Sequence, residues 1–287
     1  MTKARTLQPP LAIVAGGGTL PFAVAEAAER GGRDVVLFPI RGAADPERVT
    51  AYQHHWIGVG QVGRLRRLAW NAGCREMVLI GSVVRPAIRE VLFDTDGLKL
   101  VWRVVQVFRG GDNRVLSALL QHLEDNGFKI RGAHEIAPEI VVGVGRLGSR
   151  APGAIEQAEI VRALGVLEAN SPFDVGQAAV VAGDQVIAIE GPEGTDAMLA
   201  RVAEMRRNGR LRTAAGVLVK APKAGQDRRV DLPSIGPKTI KGAAEAGLAG
   251  IAVLAGSSIV AEPDRFAGDA DRAGIFVVGV RPDGSSE

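Results

Sequence analysis

The sequence predicts an α/β chain in two parts, an N-terminal Rossmann-like domain on a parallel sheet and a C-terminal mixed α/β domain, and three observations predict it. Aliphatic runs at 11–15, 34–40 and 77–80 alternate with helix-period stretches at 21–30 and 61–72. Right-handed crossovers turn that order into a parallel sheet. The composition is aliphatic rather than aromatic, 46% hydrophobic with 4% aromatic, and 37 glycines supply the turns. Finally, 287 residues exceed the usual single domain of about 100–200, and the glycine-rich stretch 132–153 with Pro138 and Pro152 marks the junction. We place a nucleotide- or phosphate-binding domain at 1–135 and a catalytic domain at 136–287.

The elements follow in order. Residues 11–15 form a buried strand, 21–30 a helix stopped by Gly31-Gly32, and 34–40 a second strand. A helix at 61–72 ends at Gly73, and a third strand at 77–80 runs into Gly81-Ser82. After the apolar stretch 98–108, Asp112 is expected to cap a helix reaching Asn126 before Gly127. Beyond the junction we expect a helix at 155–167 and a hairpin of strands 177–181 and 185–190 turning on Gly183-Asp184. Thr195 is expected to cap a helix with Met198, Leu199, Val202 and Met205 on one face. A strand at 216–219, a helix at 239–246 and strands at 251–255 and 275–280 complete the chain.

Composition excludes several classes of function. A net charge of +3, with no basic stripe interleaved with aromatics, argues against nucleic acid as a partner, while a pI near 9.3 favours an anionic ligand. Cys74 is the single cysteine, so an internal disulfide and a thiolate zinc cluster are excluded and a reduced, cytoplasmic compartment fits. No apolar run approaches the roughly 18 residues of a spanning helix, and no signal peptide is expected.

The chemistry concentrates in a few places. Gly16-Gly17-Gly18-Thr19-Leu20-Pro21 joins a strand to a helix, where glycine lets amides approach an anion at the positive helix end. Pro21 replaces the third glycine of the dinucleotide fingerprint, and no acid follows the second strand, so a nicotinamide cofactor and hydride transfer are disfavoured. Gly81-Ser82 lies at a strand's carboxyl end, where open parallel sheets bind ligands, and Ser82 suits a phosphate or sugar hydroxyl as well as a helix cap. In Glu190-Gly-Pro-Glu-Gly-Thr-Asp196, Glu193, Thr195 and their neighbours sit at a helix start that suits either dipole stabilisation or a ligand. The adjacent His54-His55 point apart in a strand and make a poor metal pair, Cys74 is a packing residue, and the 98–108 stretch suits buried core better than a lipid groove.

The densest cluster is residues 220–236, with two lysines, two arginines, two aspartates and Gln226 in seventeen residues. Cations beside carboxylates suit a phosphorylated ligand, with an acid left to hold a metal or orient water. A solvated loop of salt bridges is the alternative. Asp227 and Asp231 share a face in either regular conformation. A helical turn would let them share a divalent ion, whereas a strand would hold them roughly 13 Å apart.

Taken together and in order, Gly16 to Pro21, Gly110-Gly111-Asp112-Asn113, Asp174-Val-Gly-Gln177, Glu190 to Asp196 and Lys220 to Gly236 resemble the LpxI-type UDP-diacylglucosamine pyrophosphatases of lipid A biosynthesis. The resemblance spans nearly the whole chain. It implies cleavage of a UDP-linked, doubly acylated glucosamine to UMP and the acylated sugar 1-phosphate, with magnesium, water attack on the sugar-side phosphorus, and a ligand cleft between the two domains. It also implies that Asp227 is the metal-linked catalytic acid, with Asp231 second, and that Lys220 and Lys223 neutralise pyrophosphate oxygens. Gly17, Gly18 and Leu20 would hold the nucleotide side, and Gly81, Ser82, Asp112, Gln177, Glu193, Thr195, Gln226, Arg229 and Thr239 complete the substrate-binding set. Ala224 and Val230 stand where the family pattern has proline and phenylalanine, changing loop stiffness and one packing contact. The implied partner is a lipid-linked UDP-sugar met at the inner-membrane surface by peripheral contact, and a homo-oligomer is compatible with it. A nucleotide-sugar or lipid-phosphate binding protein without turnover is the alternative.

Overall fold

The computed structural model describes residues 8–83, 91–99, 112–173, 175–213, 215–223, 226–260 and 263–286. Two units emerge from the packing. One comprises Met1–Pro138 with Asp227–Val230, the other Glu139–Gln226 with Asp231–Glu287.

In the first unit, β1 (Leu11–Ala15), β2 (Val35–Pro39), β3 (Glu76–Ile80) and β4 (Lys129–Ile130) form a wholly parallel sheet in the order β2-β1-β3-β4. β1 and β2 are buried at every position, as strands covered on both faces must be, and this is why they read as unbroken apolar runs. Helices α1 (Leu20–Arg30), α2 (Val62–Asn71) and α3 (Asp112–Asp125) connect them. On one face Ala12, Val14, Val36, Phe38 and Met77 pack with Leu65 and Ala69 of α2 and Leu120 and Leu123 of α3. The i, i+3 and i, i+4 spacings of those helical pairs put each pair on one stripe.

In the second unit, β5 (Gly145–Arg146), β6 (Ala178–Ala182), β7 (Gln185–Ile189), β8 (Val217–Lys220), β9 (Ser234–Ile235), β10 (Gly250–Leu254), β11 (Ile259–Val260) and β12 (Phe276–Val280) make a six-stranded mixed sheet and a two-stranded parallel ribbon. The sheet order is β5-β12-β10-β8-β6-β7, and β9 pairs with β11. Period-2 alternation divides its residues between two cores. Ala178, Val180, Leu218, Ile251, Val253 and Val277 face α5 (Gly194–Arg207), α6 (Pro237–Glu245) and α7 (Pro263–Ala273). Ala179, Val181, Val217, Val219, Ala252 and Val278 face Ile160, Ala163 and Leu167 of α4 (Ala154–Asn170). The β6–β7 hairpin turns on Gly183 and Asp184 with φ of 55° and 64°, the paired positive angles of a primed turn.

Three expectations need correction. The helix after β7 begins at Gly194 with Glu193 at its cap position, and no side chain caps it. The Thr195 hydroxyl instead donates to Glu190. Residues 227–231 are neither helix nor strand, since Val230 N–H closes a turn on the Asp227 carbonyl, so the shared-face spacing of the two aspartates does not apply. Short strands β4, β5, β9 and β11, together with α7, went unforeseen. In α7, Phe266 and Ala270 are buried among charged and small residues, too sparse an apolar pattern to signal a helix. The 98–108 stretch beyond residue 99, Gly110-Gly111, Arg85, Asp174 and Ala224 lie outside the described residues.

Candidate active site

The N-terminal sheet reverses direction of growth at β1, with β2 on one side and β3 on the other. The carboxyl ends of β1 and β3 flank that switch point, where open α/β sheets form a crevice, and they carry Gly16–Leu20 and Gly81-Ser82. Gly16 N–H donates to Ile80 O at 2.8 Å, Gly17 N–H to Ser82 O at 2.7 Å, and Ser82 N–H to Gly17 O at 3.0 Å. A Cβ on Gly16 would come within 2.6 Å of the Gly81 carbonyl carbon. The first two glycines therefore serve this backbone pairing, and their amides are used by it. Gly18 (φ +91°) opens onto space, and the amides of Gly18, Thr19 and Leu20 make no bond to a described residue. These three amides stand at the positive end of α1, a position whose dipole favours negative charge. Of Asp112 the backbone alone is described, as the first residue of α3.

Asp227 and Arg229 also belong to this first unit. Asp227 Oδ1 accepts the Arg229 N–H and Nε, both at 3.0 Å, and Oδ2 accepts Nη2 at 2.7 Å and the shared Nε at 3.2 Å. The remaining arm, Nη1, donates to Glu124 Oε1 at 2.5 Å. Hydrogen bonding from Arg229 holds the Asp227 carboxyl below the usual carboxylate range, and bonding to Asp227 and Glu124 pushes the guanidinium up. With about four lone-pair sites on a carboxylate, these four contacts engage both oxygens of Asp227 fully with Arg229. Sequence reasoning did not select Glu124, whose position at the end of an amphipathic helix looks like any solvated charge.

In the second unit a polar network runs across the ends of β6, β7 and β8. Thr195 Oγ1 donates to Glu190 Oε1 at 2.8 Å, and Gln177 N–H donates to Glu190 Oε2 at 2.7 Å. The Gln177 side-chain amide reaches Asp231 Oδ1 at 3.0 Å, and that of Gln226 reaches Asp231 Oδ2 at 2.6 Å. Gln226 in turn accepts the Lys223 N–H at 2.8 Å. Asp231 is thus oriented by two neutral amides. Lys220, at the end of central strand β8, is buried and donates to Ser234 O at 3.0 Å. Burial lowers the pKa of its amine, opposed by the charges of Glu190 and Asp196.

Gln177, Thr195, Lys223, Gln226 and Asp231 are therefore joined in one bonded chain, with Glu190 as its pivot. Sequence reasoning placed Glu190 in a motif without singling it out; the available signal was an acid ending a strand ahead of Gly191. Glu193 lies outside that chain, paired with Arg201 at 3.0 Å. Thr239 is buried in the first turn of α6, its hydroxyl accepting the Gly236 N–H at 3.4 Å, a cap for that helix.

Among the described residues no three His, Cys, Asp or Glu side chains gather as a metal cage. Both Asp227 oxygens are engaged by Arg229, so a magnesium ion here would share a carboxylate oxygen with that guanidinium and take waters and phosphate oxygens for the rest of its shell. No described helix is long and apolar enough to cross a membrane.

A family profile for the LpxI N-terminal domain matches residues 10–140, and one for the LpxI C-terminal domain matches residues 143–278. The chain is also 40% identical over 274 residues, 95% of its length and 98% of the other, to the UDP-2,3-diacylglucosamine pyrophosphatase LpxI of Caulobacter vibrioides. Two successive domain matches with near end-to-end similarity show that the chain belongs to the LpxI family.

Proposed function

We propose that the protein hydrolyses the pyrophosphate of UDP-2,3-diacylglucosamine, yielding UMP and 2,3-diacylglucosamine 1-phosphate in lipid A biosynthesis. The observation that carries this is the similarity to the Caulobacter vibrioides enzyme through 95% of the chain. Water attacks the sugar-side phosphorus, the bridging P–O bond breaks with its electron pair passing to UMP, and the water's protons leave to solvent. Such a reaction needs negative charge neutralised and a water placed in line.

The residues supply matching parts. Asp227, sharing its oxygens with Arg229, would hold magnesium, which neutralises phosphate charge when bound. Lys220 donates one hydrogen bond, to Ser234, of the three an ammonium can make, and with Lys223 it offers positive charge to phosphate oxygens. Gly18 and Leu20 contribute amides to the nucleotide side, with Gly17 setting the turn. Asp231 is held by Gln177 and Gln226 in one orientation, suited to positioning a water or a sugar hydroxyl. The enzyme then works in the cytoplasm, meeting its acylated substrate at the membrane surface.

Purified protein incubated with UDP-2,3-diacylglucosamine and magnesium should release UMP, and EDTA should stop the reaction until magnesium is restored. Asp227→Ala should lower the rate by about 100-fold or more while leaving the thermal transition in place. Substrate binding without UMP release would instead identify a non-hydrolytic binding protein.

A further inference from the structure

We infer that Glu124 is a positioning residue for Asp227, acting through Arg229. The inference rests on the catalytic role proposed for Asp227, and its geometry lies within the first unit. The turn 227–230 is held to this unit at two points: Val230 packs against the core that includes Ala12, Phe38 and Leu123, and Arg229 bonds Glu124 at the last turn of α3.

A guanidinium is planar, with five N–H groups in fixed directions. Once Nη1 is directed to Glu124 at 2.5 Å, the opposite edge made by Nε and Nη2 has one heading, and Asp227 lies on it at 3.0 and 2.7 Å. Asp227 and Arg229 are two residues apart and could pair wherever their turn happened to swing. Glu124 is what refers that local pair to the rigid helix.

The arrangement also sets charge. One guanidinium stands between two carboxylates, so the trio carries a net −1 and Arg229 does not wholly neutralise Asp227. Removing Glu124 would leave the full cation to Asp227 and free the pair to rotate. All three side chains are roughly one-third exposed, where an ion pair contributes little to stability, so the effect belongs to orientation and thus to turnover.

The test is steady-state kinetics of UMP release for Glu124→Ala, Glu124→Gln, Arg229→Ala and the double alanine variant, joined to NMR of the Arg229 Nε–H. Glu124→Ala should lower kcat by about ten-fold, within the cost of sub-ångström misplacement, with KM changed less than about two-fold. Glu124→Gln, which keeps an acceptor, should recover part of that loss. Added to Arg229→Ala, the Glu124 change should have almost no further effect, because both act through one contact. The Arg229 Nε–H signal should be slow to exchange in the parent protein and fast in Glu124→Ala.

A kcat for Glu124→Ala above half the parent value, fully multiplicative losses in the double variant, or an unaltered Nε–H signal would each overturn the inference. A parent protein that releases no UMP would overturn the proposed function instead, and the Nε–H exchange would then decide by itself whether Glu124 fixes Arg229.

Discussion

Gly17 and Ser82 exchange two backbone hydrogen bonds, 2.7 Å in one direction and 3.0 Å in the other, and so clasp together the loops that follow β1 and β3. The clasp depends on the absence of side chains beside it. Gly16→Ala would drive a Cβ to 2.6–2.7 Å from the backbone of Gly81 and Ser82, and backbone cannot yield as a flexible side chain can. We expect the substitution to cost about 1–3 kcal/mol, as overpacking does, measured as a lower urea midpoint with unchanged m-value. A midpoint equal to the parent's would show that the loops separate freely.

Glu76 gathers Arg33 at 2.7 Å, Arg131 at 3.5 Å and Lys129 at 3.8 Å at the start of β3. Burial alone would raise its pKa, but the Arg33 hydrogen bond and the charges of Arg33, Arg131 and Lys129 outweigh that and bring it below its ordinary value of 4.5. A depressed carboxyl pKa adds stability above the unfolded value, and the contribution disappears as pH falls through the folded one. Glu76→Gln should therefore lose about 1–3 kcal/mol at pH 7, with the gap to the parent closing under acid conditions. Denaturation curves at pH 7 and pH 3.5 test this; an equal gap at both would refute it.

Glu159 behaves with the opposite sign. It is 2% exposed, its Oε1 accepts the Gly183 N–H at 2.7 Å, and its Oε2 is buried without a partner. Burial raises its pKa, aided by the charges of Glu156 and Asp184 and opposed by the Gly183 bond. A raised carboxyl pKa means that the folded state holds the proton more tightly, so stability declines as pH rises from 4.5 through the folded value. Glu159→Gln, a neutral mimic of the protonated acid, should gain about 0.5–2 kcal/mol at pH 8 and show a flatter pH dependence. A less stable glutamine variant at pH 8 would contradict the account.

Cys74 is wholly buried between α2 and β3, and burial pushes its thiol up to about 11. The thiolate is the reactive form, so the native protein at pH 7.5 should resist Ellman's reagent and react at the rate of unfolding. Prompt stoichiometric labelling without denaturant would contradict that burial.

The N-terminal sheet was legible because parallel strands covered on both faces must be continuously apolar, and because Gly31, Gly73 and Gly127 punctuate the helices. The hairpin was equally legible from Gly183-Asp184 between two apolar runs. Two-residue strands such as β4 and β9 carry no period to detect, since tertiary pairing defines them. At the site, residue types were readable and partnerships were not. Asp227 and Asp231 stand four apart, yet one pairs with Arg229 and the other with Gln177 and Gln226, because an irregular segment has no periodicity to extrapolate. Glu124, 105 positions from Arg229, gave no local signal of its part.

A four-residue excursion, 227–230, counts with the N-terminal unit although it comes from the C-terminal sequence. Cutting the polypeptide near residue 140 would give two fragments that each carry one recognisable half, but the acid at the foot of α3 and the arginine it steers would travel separately. The halves are thus poor candidates for modular exchange. A chimera joining them from distant relatives would be expected to work only where that anion and that cation were inherited together.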